Sequence, residues 1–326
     1  MSRELLVSVI VPIRDQAQRL DPLIEHLAAQ TLPRDQFEVI IADDGSSDAP
    51  ARRIDVDGRW LRLTSGPREN SYVARNRGAA LAHGRVLAFT DADCSPAPEW
   101  LCRGLDSIGD DHIVGGHIEL VMPDRPSVWA SLDAMLFDQR RFVEMGKAAT
   151  ANLFVPRRLF ERHGGFDPTL PSGGDWEFVG RCRRDGARIR YAPSAVVSHP
   201  PRSGAIEFLV RRWRIEQAFA IRCARARVSL VSFNRSREAV VPRRWGFAVG
   251  YDRHRLSELG LADGWHGRLM TMPARYVVVP AVDVGAQAVG WLRGRLAPIR
   301  AQRLPPSRIV SNQPSQPRHV RGEQFL

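Results

Sequence analysis

Lysine is almost missing from this chain: Lys147 is the only one among 47 basic residues, so the positive charge is carried by arginine. Cysteine is sparse as well. The four present (Cys94, Cys102, Cys182 and Cys223) show no CxxC spacing, suggest neither a disulfide framework nor a structural zinc, and read as reduced thiols of a cytosolic protein. The stretch that ends the first apolar run, VPIRDQ, has no glycine. A dinucleotide-binding dehydrogenase needs GxGxxG at that place, so that class is discarded. Long apolar runs are lacking too. The best candidate, YVVVPAVDVGAQAVGWL at 276–292, is 17 residues long and holds Pro280, Asp283 and Gly285. A central Asp costs about 2.5–3.5 kcal/mol on insertion scales, which argues against a spanning helix. A packed helix, or an interfacial segment flanked by Arg275, Arg293 and Arg295, is the better reading. The opening MSRELLVSVIVP runs straight into a strand pattern without a cleavage site, so no signal peptide is expected. No internal repeat is found.

What is present is an ordinary globular composition, 326 residues with 44% apolar and 25% charged, enough for one large domain and an appendage. The net charge of +11 is uneven: residues 205–326 carry 21 Arg against eight acids, a net +13, which leaves residues 1–204 at −2. A coding preference for arginine accounts for single residues but less well for this asymmetry. A polyanion is the natural partner for the basic half: membrane phospholipid, a phosphorylated substrate or nucleic acid.

LLVSVIVP (5–12) and FEVIIADDGSSD (37–48) begin as continuous apolar runs, the mark of strands covered on both faces. Between them, Leu20, Leu23, Ile24 and Leu27 fall at helical spacing within 15–31. RWLRL (59–63) reads as a strand, SYVARNRGAALAH (71–83) as a helix stopped by Gly84, and RVLAFTDAD as a fourth strand. Further on, a strand is expected at 112–120, a helix at 127–145, a short strand and a helix from Pro156 within 151–167, and a helix at 173–186. Two short strands at 189–200 and a long Arg-rich helix at 205–228 follow, then a tail rich in Pro, Gln and Ser. The alternation predicts an α/β domain with a mostly parallel central sheet and helices on both faces. Ligands of such sheets sit beyond the carboxyl ends of the strands.

That rim is where the acids fall. Asp43 and Asp44 end the second strand; Asp91 and Asp93 end the fourth. An Asp at a strand-to-turn junction often only caps the turn. Four on one rim repel one another strongly, and a cation or a cationic ligand group is the more economical reading. Asp-x-Asp at a strand end suits a hard divalent ion, Mn²⁺ or Mg²⁺, that would neutralise a diphosphate.

These segments together resemble an inverting family 2 glycosyltransferase with the Rossmann-like nucleotide-diphospho-sugar transferase fold. SVIVPIRDQAQRL is similar to the family's opening strand and helix, IADDGSSD to its acidic Gly/Ser motif, and NSYVARNRGAA to its Ala-Arg-Asn helix. FTDADCSP resembles the metal-binding motif, and ANLFVPRRLFERHGGFD with GGDWEFVGRCRRDG the acceptor side and the helix of the base. The resemblance covers residues 6–200. It implies that Asp44 holds the nucleotide base with Asp43 beside it, and that Arg75 contacts the base or the phosphates. It places Asp91 on the ribose and metal side, makes Asp93 a metal ligand, and makes Asp175 the catalytic base. His199 stands where some relatives place a late phosphate- or metal-binding group. Gly174 occupies the place of the family's usual Glu, with Glu177 as a substitute support for Asp175, and Asn152 matches.

The implied reaction needs one base. A carboxylate within about 2.6–3.2 Å takes the proton of an acceptor hydroxyl as its oxygen attacks the anomeric carbon. The implied partners are a nucleotide-diphospho-sugar donor, a UDP-sugar favoured, and a glycan or lipid-linked acceptor of the cell envelope, but no specific nucleic acid. Trp176 is a candidate for stacking on a sugar or for the core, and Arg157 and Arg158 for an acceptor phosphate or a solvated helix face. Two rivals remain in view. An Asp-x-Asp phosphatase normally carries its motif on the first strand, not the fourth. A basic nucleic-acid binder using Arg211–Arg227 has few interleaved aromatics, Trp213 and Phe219 only. The expected organisation is a catalytic domain at 1–204, a basic helical C-terminal extension at 205–300 that is a candidate for membrane contact, and a disordered tail at 301–326. The expected location is cytoplasmic, peripheral at the inner face of the cell membrane.

Overall fold

In the computed structural model, the residues described are 5–52 and 60–225, with positions 286, 287, 289 and 293. The two apolar runs form β1 (Val7–Ile13) and β2 (Phe37–Asp43), paired in parallel. Val7, Val9, Val11, Val39 and Ile41 enter one core layer, Ile10 and Ile40 the other. Successive side chains alternate across the sheet and both faces are covered, which is why nearly every position is apolar; the exceptions near the start of the pair, Ser8 and Glu38, are buried and hydrogen-bonded to each other at 2.6 Å. The remaining strands are β3 (Leu61–Ser65), β4 (Val86–Phe89), β5 (Ser95–Pro96), β6 (His112–Leu120), β7 (Leu153–Pro156) and β8 (Arg188–His199). The sheet order is β3-β2-β1-β4-β7-β6-β8-β5.

β7 runs antiparallel to both β4 and β6, and β5 antiparallel to β8, while β6 and β8 are parallel. Six strands therefore point the same way, and the expected mostly parallel α/β sheet is observed. Their carboxyl ends deliver Arg14, Asp44, Asp91 and His199 to one rim. β1 lies between β2 and β4, so the strand order reverses there and opens a crevice at the ends of β1 and β4.

On one face pack α1 (Leu20–Ala28), through Leu20, Leu23 and Leu27, and α3 (Trp100–Ser107), through Trp100 and Leu101. On the other pack α2 (Ser71–Ala80), α6 (Arg157–Arg162) and α7 (Gly174–Arg184). There Phe160 and Phe166 meet at 5.1 Å, and Phe166 lies 5.1 Å from Phe89 and 5.3 Å from Phe178.

Helix α3 and the short β5 were not expected from the sequence, and three expected elements differ in the structure. The helix over 15–31 starts late because Asp48 accepts the amide of Ala17 at 2.7 Å and holds a single 3-10 turn ahead of α1. The helix over 127–145 splits into α4 (Val128–Leu136) and α5 (Gln139–Glu144), because Asp138 caps the second one by accepting the amide of Arg141. The two strands at 189–200 are one, β8, whose register against β6 slips between Gly116 and His117. Asn152 fills the slip, donating to the carbonyls of His117 and Ala195 at 2.8 Å each and accepting from Trp100 Nε1 at 2.9 Å. The Arg-rich helix is α8 (Ala205–Arg225). No described helix is long and apolar enough to cross a membrane. The rest of the basic extension, most of segment 276–292 and the tail 301–326 lie outside the described residues.

Candidate active site

The crevice at the ends of β1 and β4 opens into a cleft of about 880 Å³, lined at one end by Arg14 and Asp44 and at the other by Asp91, Asp93 and Arg75. A smaller cavity of about 130 Å³ adjoins it through Ser71, Arg75, Asp91, Arg202 and Arg214, and contains Asp175 and His199. Asp44, Asp91, Asp93, Asp175, Arg75 and His199 are thus brought together. Asp43 is not. It precedes Asp44 on an extended chain and points the other way, where its carboxylate accepts the amide of Ser46 at 2.9 Å and its carbonyl accepts from Arg77. Asp43 shapes the turn while Asp44 faces the cleft. Gly45 between them and Ser46 has φ +72°, and a Cβ there would lie 2.7 Å from the amide nitrogen of Arg68, so only glycine lets the turn close.

Asp44 accepts the amide of Glu69 at 2.9 Å and an Arg14 hydrogen bond at 3.2 Å. Asp91 forms an ion pair with Arg75 on α2. Asp93 stands near His199 instead, with Oδ1 3.6 Å from Nε2. That distance is too long for a hydrogen bond and short enough for both atoms to reach one ion with bonds near 2.0–2.2 Å. Asp93, Cys94 and His199 have their ligand atoms within 4.8 Å of one another. Burial, then the charges of Asp91 and Asp93, hold the Cys94 thiol well above its ordinary pKa, so it presents S–H rather than thiolate. The donors on offer are carboxylate oxygen and imidazole nitrogen, which suit a divalent ion such as Mn²⁺. Asp91 sits on the arginine side of this group.

Asp175 opens α7 and is buried. Its Oδ2 accepts the amide of Thr150 at 3.1 Å, and its Oδ1 accepts the amide of Trp176 at 2.9 Å and the Tyr72 hydroxyl at 3.2 Å. Burial raises its pKa above the usual carboxylate value, against the pull of the Thr150 and Trp176 amides and of Arg75. Tyr72 solves the puzzle of Gly174. A Cβ on Gly174 would lie 3.0 Å from the Tyr72 ring, so the tyrosine occupies the space of a side chain there and supports Asp175 itself. Glu177 does not take that role. It is bound by Arg181 at 3.0 and 2.9 Å.

Trp176 is partly buried against the edge of the core, packs on Phe142 with centroids 5.0 Å apart, carries Lys147 over its ring and lines neither cavity. Arg157 binds the Ala82 carbonyl and Arg158 pairs with Asp110, at the opposite end of β7 from the cleft. The sequence reading missed Arg14, Tyr72, Thr150, Arg202 and the inward turn of Arg211 and Arg214. Tyr72 had a signal: it precedes Arg75 by three residues on one helix and shares its face.

Residues 8–165 match the family model for glycosyl transferase family 2. Glycosyltransferase AglE of Haloferax volcanii is 32% identical over 217 residues, covering 64% of this chain and 71% of that protein. The pre-mycofactocin glycosyltransferase of Mycobacterium tuberculosis is 27% identical over 222 residues, 63% of this chain and 45% of that protein, so the chain spans less than half the length of this second relative. Among solved structures, a mannosyltransferase of Pyrobaculum calidifontis in complex with GDP-Man and Mn²⁺ has the same fold at TM-score 0.55 and 18% identity, covering 90% of this chain and 88% of that one. S. aureus TarS 1–349 in complex with UDP-GlcNAc gives TM-score 0.50 at 18% identity, covering 89% of this chain and 92% of that one.

Proposed function

The chain belongs to glycosyl transferase family 2 and is a glycosyltransferase; from that premise we propose that it moves a sugar from a nucleotide diphosphate to an acceptor hydroxyl by one inverting, metal-dependent displacement. The observation that carries the reading is Asp175, a buried carboxylate held by three donors in a cavity that adjoins the Asp44–Asp93 cleft. Mannosyltransferase and TarS complexes of the same fold hold GDP-Man and UDP-GlcNAc. In this chain Asp44 accepts an N–H of the base, a uracil favoured, and Arg75 faces the phosphates beside Asp91. Asp43 stays behind Asp44 and fixes the loop.

Asp93 and His199, with Asp91 as neighbour, would hold Mn²⁺ or Mg²⁺. When bound, the ion neutralises the diphosphate and stabilises the charge that grows on the leaving oxygen. Asp175 takes the proton of the acceptor hydroxyl while that oxygen bonds to the anomeric carbon; the bond from the same carbon to the diphosphate breaks on the opposite face, so the configuration inverts. The raised pKa makes Asp175 a stronger base than a surface carboxylate. The acceptor is a glycan or lipid-linked hydroxyl, and the basic C-terminal half is the part suited to an anionic membrane surface.

A thermal-shift panel of nucleoside diphosphates and their sugars, with and without Mn²⁺, tests the donor class. Ligands of the folded state raise the melting temperature by mass action, so UDP compounds with Mn²⁺ are expected to raise it most. No shift with any of them would refute the reading.

A further inference from the structure

We propose that Arg202, Arg211 and Arg214 form an oxyanion subsite for the acceptor, and that the acceptor carries a phosphate close to the hydroxyl that is glycosylated. This assignment rests on the glycosyltransferase reading of Asp175. The reacting hydroxyl must lie within about 2.6–3.2 Å of that carboxylate, so the acceptor enters the part of the smaller cavity beside Asp175, while His199, Arg75 and Asp91 on its wall serve the donor and its ion. Arg211 lines this cavity and not the larger cleft; Arg202 and Arg214 stand where the two meet.

The arginines differ on the two sides. Along the larger cleft Arg14 has Asp44 and Arg225 has Asp167, and Arg75, where the two cavities meet, has Asp91, one carboxylate each, while Arg293 reaches Gln217. On the acceptor side Arg202 and Arg211 share a single acid, Asp133, which is buried in α4. Asp133 also accepts the amide of Arg202 at 3.1 Å, and the Arg211 guanidinium carbon lies over Phe137, 4.7 Å from its centroid. Both guanidinium groups are therefore fixed in place. Arg214 makes no hydrogen bond or ion pair with any other described residue, although it lines both cavities. Positive charge exceeds its partners next to the base, and guanidinium forks match the oxygens of a phosphate. An acceptor phosphate there would hold the hydroxyl against Asp175 from one side.

The test uses glucose 1-phosphate as the probe. Full-length protein saturated with UDP or GDP and Mn²⁺ is titrated with it, and the melting temperature is followed. The wild type is expected to show a further saturable rise that glucose alone does not produce. Arg214→Gln, which disturbs no protein partner, is expected to lose that rise and to keep the rise due to the nucleoside diphosphate. Arg211→Lys keeps a charge over Asp133 but not the fork, and is expected to weaken the apparent affinity for the probe at least tenfold. Equal responses to glucose and to its phosphate would overturn the proposal. So would an Arg214→Gln protein that loses both responses together, since the arginine would then serve the donor. A wild type that answers to no nucleoside diphosphate would remove the reading of the enzyme itself, and this subsite with it.

Discussion

Tyr72 and Asp175 make one unit, and the pH profile should show it. Protonated Asp175 cannot accept a proton, so activity falls as pH drops through its pKa. Burial raises that pKa, which puts the acidic limb above the ordinary value of 3.8. The Tyr72 hydroxyl donates to the ionised carboxylate and works against that rise. Tyr72→Phe is therefore expected to move the limb to still higher pH, read from kcat against pH at saturating substrates. Asp175→Asn should keep nucleoside diphosphate binding by calorimetry and lower kcat by about 10²–10⁴-fold, the usual worth of a positioned base. Asp93→Ala should abolish the part of the UDP-induced thermal shift that requires Mn²⁺. Among these residues Asp44, Asp93 and Asp175 were legible because each ends or begins a strongly patterned element. Tyr72 was hidden by its ordinary appearance on a helix, and the fate of Asp43 by a question of facing that only the turn decides.

At the scale of elements, the loop before α7 is held by α2. Asn76 accepts the amide of Phe166 at 2.9 Å and donates to its carbonyl at 2.8 Å, and Phe166 fills the middle of an aromatic cluster. Phe166→Ala should cost about 3–5 kcal/mol in urea unfolding, as for other buried aromatic truncations. The same variant should lower transfer more than donor binding, because the loop leads into the helix that carries Asp175. The parallel strands β1 and β2 were readable from their apolar runs, since two-sided burial leaves few polar positions, and Ser8 and Glu38 satisfy each other. The break between α4 and α5 was not, because one continuous apolar periodicity runs through a cap that Asp138 makes locally. The single strand β8 escaped for a related reason: its slip is stabilised by Asn152, which lies far away in the chain.

For the whole molecule, the uneven charge has two destinations. Within the described part of the basic half, Arg211, Arg212 and Arg225 are paired with acids and Arg214 turns toward the cleft. The proposed attraction to a membrane would therefore rest on the arginines further along the sequence, and on that proposal flotation should show more binding to anionic vesicles than to neutral ones, weakening as salt is raised. Equal flotation on both would remove the membrane from the account. Helix α2 meanwhile ties the two halves of the site together. The Glu69 amide just ahead of it reaches Asp44, Tyr72 reaches Asp175 and Arg75 reaches Asp91, at intervals of three residues. Each residue added to a helix turns everything beyond it by about 100°. One extra residue between Tyr72 and Arg75 would swing one grip away from the other, so this stretch should accept exchanges of side chain more readily than any change in its length.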